Sequence, residues 1–203
     1  MKGLLYKDLI MLTKQTKLYL LFIVIMSCIP NLSMLSFAVI YSTMMPMTAL
    51  AFDERSKWNK LAAMMPYSAT EMVVSKYLIG YIMVLSSVII SIVARALGGI
   101  FGGAELTVEF FPQLLLIACI GLALGAFSLP LLIGLGVEKG RLFLIFILVM
   151  FSIVCLSGME KVLSVFPSNA QLGMLLAGAV LATLVLNLGS IALAAQLYKR
   201  KVE

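Results

Sequence analysis

Histidine is absent from the 203 residues, so the commonest general base and imidazole metal ligand are missing. No G-x-x-x-x-G-K-[ST] loop occurs, and Gly134-x-Gly136 lies at the end of an apolar run with no strand before it, which is no phosphate-binding signature. The serines have no base partner, and no two carboxylates share an apolar run. The chain is expected not to be an enzyme and to hold no metal or cofactor of its own. Cysteine is scarce: Cys28, Cys119 and Cys155 all lie in apolar runs without C-x-x-C spacing, and read as reduced packing residues. Charge is scarce too, at 12% against 63% hydrophobic residues, with a mean hydropathy of +1.12. Such a chain cannot clothe a soluble core. No folded soluble surface interleaves basic and aromatic residues in a way that could hold a nucleic acid strand, so no nucleic acid partner is expected.

What remains is a single membrane domain, 1–203, all α-helical. Residues 18–52 carry no charge; as one helix they would run roughly 52 Å, against a hydrocarbon core of about 30 Å. Pro30 and Asn31 fall in the middle, and basic residues flank both ends. Two short helices, 18–29 and 34–51, are therefore expected to turn at that point, with a re-entrant hairpin as the alternative. Ser68 and Glu71 form an S-x-x-E capping box that opens a third helix running to about Leu97, with Lys76, Tyr77 and Tyr81 as interface anchors. A fourth helix, 108–137, carries Gly121 and Gly125 at small-xxx-small spacing and a kinking Pro130. A tight turn at 138–141 leads to a fifth helix, 142–157, and a sixth spans 171–197. Asn187, deep in the sixth, reads as a hydrogen-bonding link between helices, with a substrate contact as the alternative.

Topology follows from the cations. Thirteen of the fifteen lysines and arginines fall on one side of this six-span arrangement, and only Arg95 and Lys161 on the other. Both termini and the loop after the second helix are thus expected in the cytoplasm. Arg95 either snorkels or pairs with Glu105 or Glu109 at the outer end. The N-terminal residues 1–17 lack a cleavage pattern. Met1, Leu5, Leu9 and Leu12 fall on one side and Lys7, Lys14 and Lys17 on the other, which suits a helix lying in the membrane interface. A frayed basic tail is the alternative.

The longest polar island is 53–77. Five charges, Asp53, Glu54, Arg55, Lys57 and Lys60, surround the single tryptophan, Trp58. Trp58, Leu61, Ala62 and Met65 recur at i, i+3, i+4 and i+7, one stripe of a short helix. The stripe either fills a groove on a soluble partner or lies flat on the headgroups. With no motif for energised chemistry on the chain, three classes stay open. They are a transporter subunit driven by another protein, a partner-free membrane protein such as a peptide-sequestering immunity or scaffold protein, and a secondary transporter. The last would call for a buried ionisable site.

Four stretches carry a family resemblance: MKGLLYKDL at the start, AFDERSKWNKLAAMMPYSATEMVVSKYL, LPLLIGLGVEKGR and the terminal LYKRK. Together they resemble the short six-helix permease subunits of ABC-2 type ATP-binding-cassette exporters, the permeases of phenol-soluble modulin exporters among them. In the most specific stretch the matching residues are Asp53, Glu54, Arg55, Ser56, Lys57, Trp58, Pro66, Ser68, Lys76 and Tyr77. The resemblance implies an elbow helix (1–17), helices 1–2 (18–51), a cytoplasmic coupling segment (53–67) and helices 3–6 (68–198). It implies the plasma membrane of a bacterium, a separate cytoplasmic ATPase that binds the ATP and Mg, and a second permease subunit, identical or a close paralogue. It assigns ATPase coupling to Asp53, Glu54, Lys57, Trp58, Leu61, Ala62 and Met65. It also implies a conduit built by the first, second and fifth helices, for which Asn31, Ser33, Ser36, Tyr41 and Ser42 are the polar candidates. A hydrophobic or amphipathic peptide substrate suits a wall with fourteen methionines, whose thioethers repack around varied shapes; filling gaps between helices is their other use.

Overall fold

A computed structural model describes residues 2–29, 32–62, 64–65, 67–100, 110–142, 145–146 and 169–202, and among these all regular structure is helical. The order is α1 (Lys2–Gln15), α2 (Lys17–Cys28), α3 (Leu32–Thr43), α4 (Met45–Arg55), α5 (Trp58–Ala62), α6 (Ala69–Ile100), α7 (Phe110–Leu135) and α8 (Asn169–Val202). Three helical stretches have the length and hydropathy of a membrane span: Ala69–Leu97, Phe110–Leu135 and Leu176–Arg200. The fifth span expected at 142–157 and the loop holding Glu160 and Lys161 lie almost wholly outside the described residues.

The charge-free run at 18–52 differs from expectation in its second half. A single helix over 34–51 is corrected to two, because the chain turns at Met44 and α4 begins with Pro46 in its first turn. Proline has no N–H to donate and its ring clashes with the carbonyl four residues back, so α3 cannot continue through it. The ring is used instead for packing: a Cβ on Gly80 of α6 would lie 3.1 Å from Pro46 Cγ. α2 and α3, 12 residues each, are roughly 18 Å long, well short of the hydrocarbon core. The turn at Pro30 and Asn31 lies outside the described residues.

The capping box at the start of α6 forms as expected. Glu71 N–H donates to Ser68 Oγ at 3.2 Å, and Ser68 N–H donates to the Glu71 carboxylate at 3.1 Å, satisfying two donors that the helix leaves unpaired. The turn expected at 138–141 is instead helical. The chain breaks one step earlier, at Gly136, whose φ of +83° suits only glycine. It then resumes a helical path over 137–142, with Gly140 N–H donating to the Gly136 carbonyl at 2.9 Å.

α6 is the spine. It supplies Ile79 and Met83 to a core with Leu12, Ile23, Met45 and Ala49, and Val84 to one with Val39, Phe110 and Leu114. Val73 and Tyr77 join Leu129, Ile133 and Ala194, and Met72 joins Leu4 and Ala62. Polar links stitch it to α8 inside the apolar layer. Tyr81 OH donates to Asn187 Oδ1 at 2.8 Å, and Asn187 Nδ2 donates to the Thr183 carbonyl at 2.8 Å. Tyr77 OH bonds Ser190 Oγ, which in turn bonds the Ala126 carbonyl of α7. Asn187 is thus the interhelical link expected of it. Tyr77, expected as an interface anchor, is fully buried, because its hydroxyl has a partner there and not at the headgroups.

The two glycines of α7 have different jobs. A Cβ on Gly121 would sit 2.4 Å from Cγ1 of the fully buried Val39, whereas one on Gly125 would meet nothing within 4 Å. Only Gly121 is required for the close approach of α3. Gly121→Ala is expected to destabilise the protein by about 1–3 kcal/mol through overpacking, while Gly125→Ala is neutral or slightly stabilising. Thermal unfolding of the two variants in the same detergent checks the contrast.

Candidate functional site

The least expected feature is a cluster of four charges where α1, α4 and α6 meet. Lys76 of α6 donates to Asp8 Oδ2 at 2.6 Å and to Asp53 Oδ2. Lys7 of α1 donates to Asp53 Oδ1 at 2.7 Å, and its Nζ lies 2.9 Å from Asp8 Oδ1 without the alignment of a hydrogen bond. Asp8 is 0% exposed, and Asp53 and Lys76 are each 5% exposed. Two cations and two carboxylates leave no net charge, which is what makes their burial affordable.

The sequence places these residues for local reasons. Asp8 stands between Leu4 and Leu12 at i, i+4, i+8, and all three are buried on one face of α1. That face is rotated from the expected one, since Leu5 and Leu9 lie at its flank and are only partly buried. Lys76 sits about two turns into the long apolar helix. It was expected to reach the interface as an anchor, but it turns inward because two carboxylates wait for it there. Asp53 lies in the last turn of α4, the end of a helix whose dipole favours the two cations, Lys7 and Lys76, that meet it.

The short helix α5 is attached to this cluster. Lys7 Nζ stands 4.1 Å from the centre of the Trp58 ring, a cation–π contact. Ala62 is buried against Leu4 and Met72, with Trp58, Tyr67 and Tyr198 around them. The expected stripe is therefore split, and this corrects the reading of its four residues as one outward face. Trp58 and Ala62 turn inward, while Leu61 and Met65 are exposed, with Met64 beside them 86% exposed. A helix of five residues has one turn to divide between two surfaces, and α1 takes the Trp58 side.

Asp53 and Glu54 diverge. While Asp53 joins α1 and α6, Glu54 accepts the N–H of Val137 at 3.0 Å, immediately after the break at Gly136. Lys57 is the hinge between α4 and α5: its φ of 55° is left-handed, a conformation that costs a side chain about 1–2 kcal/mol, and its N–H donates to the Glu54 carbonyl at 3.2 Å.

Of the conduit candidates, Ser42 is buried and bonds the Ala38 carbonyl of its own helix. Tyr41 is exposed on α3 and stacks edge-on against Phe22 of α2. Ser36 lies a turn and a half earlier on the same helix, and Ser33 is in the first turn of α3. Asn31 lies outside the described residues, as do Glu105 and Glu109. Arg95 places its guanidinium 4.1 Å above the ring of Phe110, so an aromatic face on α7 meets this charge at the far end of α6.

A family model described as "ABC-2 family transporter protein" matches residues 3–199. The chain belongs to the ABC-2 transporter family. It is thus an ABC-2 type permease, a membrane component of an ABC transporter, and the match covers every helix described above. No curated protein and no solved structure matches the chain. In this ABC-2 permease the coupling candidates Asp53, Glu54, Lys57, Trp58, Leu61, Ala62 and Met65 lie on one continuous stretch, α4–α5 and the turn after it. Asp8, Lys7 and Lys76 were missed as site residues. A carboxylate on the apolar stripe of α1 and a lysine inside the first turns of α6 were the available signals.

Asp53→Ala is expected to destabilise the permease by about 3–5 kcal/mol, because Lys76 keeps one buried carboxylate and loses the other. Asp53→Asn should cost less, since it retains an acceptor. Thermal unfolding in detergent, with the exposed Lys14→Ala as reference, measures both.

Proposed function

We propose that this chain is the permease subunit of an ATP-driven exporter, and that α5 is the coupling helix through which a cytoplasmic ATPase moves it. The observation that carries the reading is the contact of Trp58 with Lys7, and of Lys7 with the buried pair Asp53 and Lys76. A push on α5 meets a charged cluster rooted in α6, the longest membrane span and the spine of the core. The exposed edge Leu61, Met64 and Met65 is apolar surface that a partner groove would cover, and the flanking Asp53, Glu54 and Lys57 hold the helix in place.

In this reading six spans, with both termini in the cytoplasm of a bacterium, pair with a second permease of the same or similar sequence. ATP-driven closure of two ATPases brings the two α5 helices together. The bundle then shifts between two packed arrangements, with Gly136 and Pro130 as the places where α7 can give. The substrate is a hydrophobic or amphipathic peptide, passing along α2, α3 and the fifth span, where Asn31, Ser33, Ser36 and Tyr41 offer polar contacts. An ATP-coupled path also suits a chain in which the buried charges lie at the end of the spans and not along them, unlike a proton relay.

The two faces of α5 separate docking from transmission. Leu61→Glu with Met64→Glu is expected to abolish copurification with the ATPase encoded beside the permease, without lowering permease stability. Trp58→Ala should keep copurification and lower transport-linked ATP hydrolysis several-fold, while Trp58→Phe, which retains a ring over Lys7, stays near wild type. Full copurification and hydrolysis in the Leu61/Met64 variant would remove α5 as the docking element.

A further inference from the structure

A cavity of about 850 Å³ opens between the end of α4 and the break after α7. Its lining is apolar at Ala51, Phe52, Leu135 and Val137 and basic at Arg55, Lys139 and Arg141. None of these three cations makes an ion pair among the described residues. Two carboxylates also line it, Glu54, which accepts the Val137 N–H, and Glu138, so the lining carries three positive and two negative charges and is net positive by one. The cavity begins where a candidate membrane span ends, since Leu135 is the last residue of the Phe110–Leu135 stretch, and Thr16, at the α1–α2 junction, also lines it. The three exposed cations thus stand just beyond the end of an apolar span, where the headgroup layer of a bilayer begins.

We propose that this cavity is a binding site for the phosphate headgroup of an anionic phospholipid, held by Arg55, Lys139 and Arg141 with the upper chain against Phe52 and Leu135. The volume is that of an ordinary small-molecule site, and the wall gives a lipid a place for its first methylenes that a free phosphate would not use. A lipid seated there touches α4 on one side and the segment after Gly136 on the other, so its occupancy bears on the same junction that Glu54 spans. The site itself does not depend on the coupling role of α5, and its test needs neither the ATPase nor a transport substrate.

The experiment is a titration of the delipidated full chain, in zwitterionic detergent, with short-chain phosphatidylglycerol and phosphatidylcholine, read as bound lipid by native mass spectrometry. Wild type should retain phosphatidylglycerol over phosphatidylcholine. The triple variant Arg55→Gln, Lys139→Gln, Arg141→Gln should lose at least about tenfold in phosphatidylglycerol affinity, since each cation near anionic lipid contributes about fivefold. A control variant, Lys14→Gln, Lys199→Gln, Arg200→Gln, removes the same charge elsewhere and should lose clearly less than the triple variant. Equal losses in the two variants would reduce the effect to general attraction of a basic protein for acidic lipid and overturn the site. So would undiminished binding in the triple variant, with Arg55→Gln alone as the milder check. Competition by inorganic phosphate at the same concentration as the lipid would show a soluble phosphate ligand and overturn the lipid assignment.

Discussion

Everything at the charged end of this permease depends on one buried ammonium. Lys76 is held between Asp8 and Asp53, and through them α6 is fastened to α1 and α4. Desolvating a single charge is prohibitive, and even a lone pair in an apolar setting often does no better than break even. Two linked pairs change that balance, because each carboxylate faces two ammonium groups, one at each oxygen. The cost of the arrangement is that no member can move alone. That property is of little use for stability, which apolar residues would supply as well, and of great use for passing a displacement from one helix to another.

The rest of the architecture follows from α6 being held at that end. One face of it packs through Ile79 and Met83 on α1, α2 and α4, another through Val73 and Tyr77 on α7 and α8, and Val84 meets α3 and α7, while the tyrosines Tyr77 and Tyr81 hold α8 by hydrogen bonds within the apolar layer. α5 adds a lever of one turn whose inner face rests on Lys7 and whose outer face is bare. Asp53 and Glu54 then send two branches from the end of α4, one into α6 and one to the segment after Gly136. The input proposed at α5 would thus reach α6 and the segment after Gly136 through adjacent carboxylates.

Much of this was legible in the sequence, and the failures have physical causes. The membrane class, the capping box at Ser68 and Glu71, the long apolar helices and the interhelical role of Asn187 follow from hydropathy and local chemistry, which short windows capture. The break at Met44 was written in Pro46 but hidden by an uncharged run long enough to be divided in several ways. The stripe at Trp58 was real, yet periodicity says only that residues share a face and not which of two neighbours takes it; α1, 50 residues earlier, claimed Trp58 and Ala62. Lys76 and Tyr77 looked like interface anchors because at the end of a span that is the default. Only the arrival of Asp8 and Ser190, 68 residues before and 113 residues after their partners, makes burial the better choice, and nothing local announces them.

The central claim is that α5 and α6 move as one body. Spin labels at the exposed positions Met64 and Leu85, in a background with Cys28, Cys119 and Cys155 replaced, report the distance between them by pulsed electron paramagnetic resonance. The account predicts that the distance in the permease–ATPase complex is the same without nucleotide and with the ATPase trapped in its closed state, within the ~2 Å of a helix shift. A larger change between those two states would show α5 moving independently of α6, and would contradict it.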